Sequence, residues 1–198
     1  MSLKLNSSGG GSITLQEPVT ASARTLTLPD NTGTVVSTAS TGIITQAMMA
    51  TNVAGNGPAF SAYSSANTSI SSGVFTKVPF AIEEFDTNSN YDTSTYRFTP
   101  TVAGYYQINS GVYVYTTGAT TSNRSILLYK NGGSYKRGSN FVTTPPNEIL
   151  LILSCVAYCN GTTDYLEVYT YDNGTTPTIY GGGGSTLVWI NGFLARAA

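Results

Sequence analysis

Hydrophobic and polar positions alternate in short runs along most of the chain, the period-two pattern of strands half-buried in a sheet. Residues 96–115 carry it most clearly. Tyr96 and Phe98 alternate with polar neighbours, and Pro100, which has no backbone N–H, ends that pairing. Gly104 closes the connection where a Cβ would be unwelcome. From Tyr106 onward, Ile108, Val112 and Val114 fall on one face, with Tyr113 and Tyr115 on the other. The stretch predicts strand, turn, strand.

Similar runs follow at intervals of about ten residues, as a β-sandwich requires. Phe75, Val78, Phe80, Ile82 and Phe85 predict strand material, with Pro79 arguing for an edge or a bulge. Arg124-Ser-Ile-Leu-Leu-Tyr-Lys runs into Asn131-Gly132, a hairpin signal. Residues 148–159 and 165–171 predict another pair around Asn160-Gly161, and Ile149-Leu-Leu-Ile-Leu153 reads as a buried strand. Residues 186–194 predict the last strand.

Residues 1–42 differ. Ser7-Ser-Gly-Gly-Gly-Ser12 reads as a flexible opening. Ile13-Thr-Leu15 and Leu26-Thr-Leu28 predict short strands, Thr34-Val-Val36 a third, and Pro29-Asp-Asn-Thr-Gly33 a turn. These pieces are too thinly apolar to fold alone, so they need another copy or a larger partner. Residues 43–51 hold Ile44, Ala47, Met48 and Met49, the one candidate helix. It is either a trimeric neck or a linker resting on its own domain. The predicted division is 1–42, an attachment segment; 43–57, helix and hinge; and 58–198, the main domain.

Two resemblances come from these residues. Phe98-Thr-Pro-x-x-x-Gly-Tyr-Tyr106 resembles the central signature of the complement C1q globular head and its tumour necrosis factor-like relatives. Pro58-Ala-Phe-Ser-Ala62 resembles that family's opening strand. Thr186-Leu-Val-Trp-Ile-Asn-Gly-Phe-Leu194 resembles its closing one. The resemblance spans roughly 58–194 and implies an all-β, ten-stranded jelly-roll sandwich that associates as a homotrimer. Gly11-Ser-Ile-Thr-Leu-Gln16, with Arg24-Thr-Leu-Thr-Leu-Pro-Asp-Asn-Thr-Gly-Thr-Val35, is similar to amino-terminal segments of bacteriophage fibre and decoration proteins. It implies a virion component.

Composition narrows the chemistry. Among 198 residues, 10% are charged and the net charge is −1, so there is no electrostatic footprint for nucleic acid or acidic membranes. No apolar run reaches about eighteen residues and no charged-then-apolar amino terminus is present, so neither a membrane span nor a secretory signal is supported. Histidine is absent, which removes the commonest general base and the ordinary triad. Glu83 and Glu84 are adjacent and on a strand would point to opposite faces. An enzyme is not expected.

Three sets of residues stand as candidate sites. Asp86, Asn88, Asn90 and Asp92 present oxygens at alternate positions, the spacing of a calcium loop. Against that, Tyr91 sits where the sharp-turn glycine belongs and Arg97 where the closing carboxylate belongs, so an ordinary Asx-rich loop is the expectation and calcium the alternative. Cys155 and Cys159, four apart on a strand, would be roughly 13 Å apart, which predicts free thiols rather than a bridge or a zinc site. The tyrosines, Tyr113, Tyr115, Tyr169, Tyr171 and Tyr180 foremost, suit either an inter-subunit seam or a receptor contact. Gly181-Gly-Gly-Gly184 reads as a mobile tip loop, since no helix or Lys-Ser/Thr completes a phosphate cradle.

The expected function is a non-catalytic virion protein without cofactors. In one form it is a homotrimeric fibre whose head attaches to a host surface glycan or protein. The alternative is a capsid decoration protein. In both, residues 1–42 would dock onto other virion proteins, and neither nucleic acid nor membrane insertion is involved.

Overall fold

The computed structural model describes residues 2–6, 8–16, 49, 55–117, 121–143 and 148–198. The chain divides into two compact units, Met1–Ile43 and Ile44–Ala198. The described part of the first is an antiparallel hairpin of β1 (Ser2–Asn6) and β2 (Ser12–Gln16), with Leu3 opposite Leu15 and Leu5 opposite Ile13. The stretch expected as a flexible opening is therefore hairpin connection, with Gly10 at φ 85°. The expected strands at 26–28 and 34–36 and the helix at 43–51 lie outside the described residues, apart from Met49.

The second unit is an all-β jelly roll. Its strands run β3 (Ala59–Tyr63), β4 (Thr68–Ser69), β5 (Thr76–Lys77), β6 (Ile82–Asp86), β7 (Tyr91–Asp92), β8 (Arg97–Phe98) and β9 (Ala103–Tyr115). They continue as β10 (Ser122–Lys130), β11 (Gly133–Thr143), β12 (Glu148–Asn160), β13 (Leu166–Asp172), β14 (Thr178–Ile179) and β15 (Val188–Ala197). One sheet has seven strands in the order β4-β14-β9-β15-β3-β6, with β12 on the other edge of β9. The other has six, β11-β10-β13-β8-β7, with β5 also on β13. The surplus over ten strands consists of two-residue ladders such as β7 and β14.

β9 organises the seven-stranded sheet. It pairs along its whole length with β12, from Ala103 opposite Asn160 to Tyr115 opposite Glu148. On its other edge it pairs with β15 and then β14. Ile108, Val112 and Val114 point into the core, as the alternation predicts, and Tyr106 joins them. Phe98 is fully buried between the sheets, its ring stacked 4.2 Å from Phe60 and edge-on to Tyr106 at 5.3 Å. Gly104 is required by close approach: a Cβ there would lie 2.5 Å from the carbonyl oxygen of Arg196 on β15.

Several local expectations change. Tyr96 sits at φ 56° in a turn, so the strand before Pro100 is only Arg97–Phe98. Of the run from Phe75, only Val78 and Phe80 enter the core, while Phe75 and Phe85 are exposed. The Asn131-Gly132 hairpin is as expected, both residues at positive φ and joining β10 to β11. Residues 148–159 and 165–171 do not pair with each other. β12 pairs with β9 and β13 with β10, in opposite sheets. The side chain of Asn160 accepts from the N–H groups of Thr162, Thr163 and Asp164 at 2.9–3.0 Å, and Gly161 takes φ 73°. That geometry turns the chain across the sandwich rather than back along the same sheet. The glycines at 181–184 belong to a 3-10 turn, Gly181–Thr186, with Gly181 buried, not to an open tip loop.

Candidate functional site

The acidic loop satisfies itself. Asp86 accepts from the N–H of Asn88 at 3.1 Å and of Tyr91 at 2.6 Å. Asp92 accepts from the N–H and hydroxyl of Ser94 at 2.8 and 2.6 Å and from the hydroxyl of Thr95 at 2.7 Å. These bonds, the Ser94 hydroxyl foremost, hold the Asp92 carboxyl well below the usual carboxylate range. Asn90 is buried, donates to the carbonyl of Asn88 at 3.0 Å and to the Thr101 hydroxyl at 3.3 Å, and accepts from the Thr101 N–H at 3.3 Å. Asp86 and Asp92 are thus caps of their own turns, and Asn90 ties the loop to Thr101. Among the described residues no group of three or more His, Cys, Asp or Glu side chains converges.

The two cysteines are free. Both lie on β12, Cys155 half-buried and Cys159 buried, and burial pushes the Cys159 thiol up to about 12. A thiol so far from ionising is no nucleophile at neutral pH.

The five tyrosines fall into two groups on opposite sheets. Tyr169 and Tyr171 project from the outer side of β13. Tyr169 stacks on Tyr129 at 4.0 Å, and Tyr171 lies 4.9 Å from Phe75. Beside them Glu167 is buried under Lys77 and Arg97, with Arg97 Nε at 2.7 Å and its guanidinium over Tyr165. Phe75 and Tyr171, with Asn123, Ser125, Arg137 and Asn140, form a cleft of about 350 Å³. An aromatic floor with amides and a guanidinium around it can take a neutral or weakly acidic sugar.

Tyr113, Tyr115 and Tyr180 meet on the seven-stranded sheet. Tyr180 is 6.0 Å from each of the other two, edge-on at 60° and 73°. The backbone sets this up: the N–H of Tyr180 donates to the carbonyl of Tyr113 at 2.9 Å, just after β14 pairs with the end of β9. The Tyr113 hydroxyl donates to Glu148 at 2.6 Å, which pushes the phenol up. With Leu187 they enclose a cleft of about 450 Å³.

A further feature is the outer face of this same sheet. On β12, Leu150, Ile152, Val156 and Tyr158 are exposed while Leu151, Leu153, Ala157 and Cys159 are in the core. The run expected to be a buried strand is apolar on both faces, and only one is covered within the protomer. Neighbouring strands extend the patch. Tyr158 lies opposite Tyr105 with rings 5.4 Å apart, and Phe193 on β15, 49% exposed, and Val156, 48% exposed, flank Gln107 from its two sides. Trp189 lies opposite Gly111, where its indole occupies the space a Cβ would need.

A polar row crosses this face at one level. Ser154, Asn109, Asn191 and Ser61 are in register across β12, β9, β15 and β3. Ser154 donates to Asn109 at 2.8 Å, Asn109 to Asn191 at 3.2 Å, and Ser61 to Glu84 on β6 at 2.7 Å. Gln107 donates to both Asn109 and Ser154 at 3.0 Å. Sequence reasoning missed Phe193, Trp189, Asn109 and Asn191 as site residues. The available signal was the doubly apolar β12.

No protein-family model and no curated protein sequence matches the chain. Solved structures do match in fold. The globular domain of zebrafish complement 1qA protein superposes with a TM-score of 0.52 at 15% identity, covering 71% of this chain and 99% of that one. Murine APRIL superposes with a TM-score of 0.51 at 10% identity, covering 69% and 98%. The fold is a C1q/TNF-like jelly roll.

Proposed function

We propose that this chain is a non-catalytic virion structural protein, a homotrimeric fibre whose jelly-roll head attaches to a host surface glycan. The observation that carries the reading is the doubly apolar β12. Its outer side shares a face with Tyr105, Trp189 and Phe193, in two apolar areas on either side of the polar row, and a soluble protein rarely leaves so much apolar surface open. Three copies packed on this face around a cyclic axis would cover it. The polar row through Asn109 and Asn191 then fixes register between copies. Tyr113, Tyr115 and Tyr180 lie at the end of the face, where β9 stops and β12 starts.

With that sheet turned inward, the six-stranded sheet faces the medium. Tyr169 and Tyr171 lie there, and the cleft between Phe75 and Tyr171 has an amide-rich lining with one guanidinium, that of Arg137, which suits a sugar site. The absence of histidine and the high-pKa cysteine thiols support a role without catalysis. The phage context rests on the amino-terminal phrases, and residues 1–42 are the segment assigned to docking on other virion proteins.

The test is adsorption. Host cells preincubated with the purified full chain should bind fewer virus particles, and Tyr171→Ala should lose that competition. If excess chain never slows adsorption, attachment fails, and antibody-gold labelling over the capsid would establish decoration instead.

A further inference from the structure

We propose that the cleft of Tyr113, Tyr115, Tyr180 and Glu148 is a binding site for a methylated ammonium cation of the choline or trimethyllysine type. It deepens the attachment reading by naming a second ligand chemistry for the head, but its geometry stands without the trimer.

Three phenol rings surround one opening. Tyr180 stands edge-on to Tyr113 and to Tyr115, each 6.0 Å away, so the rings form walls at steep angles rather than a stack. The negative π-faces of such walls attract a cation, and the attraction strengthens as water is excluded. Glu148, opposite Tyr115 in the β9–β12 register, adds a full negative charge. Its Oε2 accepts the Tyr113 hydroxyl proton at 2.6 Å, which locks ring and carboxylate together. The remaining lining is Leu187, and the space of about 450 Å³ exceeds what a trimethylammonium group fills.

The same inventory selects the kind of cation. A primary ammonium brings three N–H donors that must exchange water for acceptors. The cleft offers one carboxylate already engaged by Tyr113, with phenol rings elsewhere. A trimethylammonium has no N–H to satisfy, and its methyl groups suit aromatic walls. Among the described residues no Lys or Arg lines the cleft, so an adjoining phosphate would gain nothing there and would be repelled by Glu148. The preferred ligand is therefore a methylated ammonium without a neighbouring anion.

The experiment is a titration of the full chain with choline, followed by saturation transfer from protein to the trimethyl protons. Its neutral isostere 3,3-dimethylbutan-1-ol separates charge from shape. Nε-trimethyllysine and phosphorylcholine separate a peptide source from a phosphate-bearing one. Choline and trimethyllysine should bind in the millimolar range or better, with phosphorylcholine weaker and the isostere at least about tenfold weaker. Tyr180→Leu should reduce choline affinity about tenfold and Glu148→Gln several-fold. Equal binding of the isostere, preference for phosphorylcholine, or no response to choline would overturn the proposal, as would unchanged affinity in both variants. Assembly mass is measured on the same samples, so loss of the cation site with an intact trimer is distinguishable from failure of the association face.

Discussion

Asn109 donates from Nδ2 to Oδ1 of Asn191, 3.2 Å away across β9 and β15, within the polar row that divides the aromatic and aliphatic side chains of this face. A bonded amide pair there costs little while wet. Once the face is covered, Asn191 would depend on Asn109, which also holds Ser154 and Gln107, because an unpaired buried amide costs about 1–3 kcal/mol. Asn109→Leu and Asn191→Leu should therefore each lower the melting temperature of the assembled protein. The double substitution should recover part of the loss, since no Asn191 amide is then left without its partner and Gln107 and Ser154 keep their bond to each other. Strict additivity in thermal melts would mean that the two amides do not depend on each other.

A second pair is buried within the protomer. Arg124 Nε lies 2.8 Å from Asp172, in register on β10 and β13, and both side chains are fully buried. Arg124 also donates to the Thr116 hydroxyl at 2.6 Å. Arg124→Met leaves a carboxylate without its cation and should destabilise the fold by about 3–5 kcal/mol. Arg124→Met with Asp172→Leu should regain much of it. A single variant as stable as the parent in urea titration would contradict this.

Cys159 predicts alkaline behaviour. Its folded pKa is raised from 9.0 to about 12 by burial, so the folded state holds the proton more tightly than the unfolded chain. The sign follows: stability is full below pH 9 and falls as pH rises toward 12. The buried phenols of Tyr91 and Tyr106, also pushed upward, add to the loss. Cys159→Ala should make the decline shallower. Native protein at neutral pH should leave Cys159 unalkylated, and mass spectrometry after unfolding should find both thiols labelled. A two-dalton deficit with neither labelled would reveal a bridge.

Calcium should do nothing. The Asp86 and Asp92 oxygens already accept from Asn88, Tyr91, Ser94 and Thr95, and a metal would have to break those turns. Melting should be the same with calcium or a chelator, whereas Asp86→Ala should cost about 1–3 kcal/mol through two orphaned N–H groups. A calcium-dependent rise of several degrees would show a real site, since a ligand of the native state alone must stabilise it.

The fold was legible where residue identity acts through local geometry. Phe98, Pro100 and Gly104 announced the central element, Asn131-Gly132 its hairpin, and the alternation from Tyr106 its two faces. What escaped was long-range. Asn160-Gly161 looks like a hairpin turn, yet the Asn160 side chain closes a wider crossover and sends β13 to the other sheet. The same limit applied to sites. Five tyrosines with one composition divide between two surfaces because β9 and β13 lie in different sheets. Leu150 and Ile152 read as core because an apolar run does not say which of its sides the rest of the chain covers.

The central claim, self-association through the outer face of the seven-stranded sheet, is tested by the mass of the full chain and its Phe193→Asp variant in solution. Phe193 is half-exposed in the protomer, and burying the exposed half of such a side chain is worth about 1 kcal/mol, repeated at each symmetric contact. Light scattering at micromolar concentration should report about three times the 20.8 kDa chain mass for the parent. The variant should report a single chain with an unchanged far-ultraviolet spectrum. A monomeric parent, or a variant that stays trimeric, would contradict it.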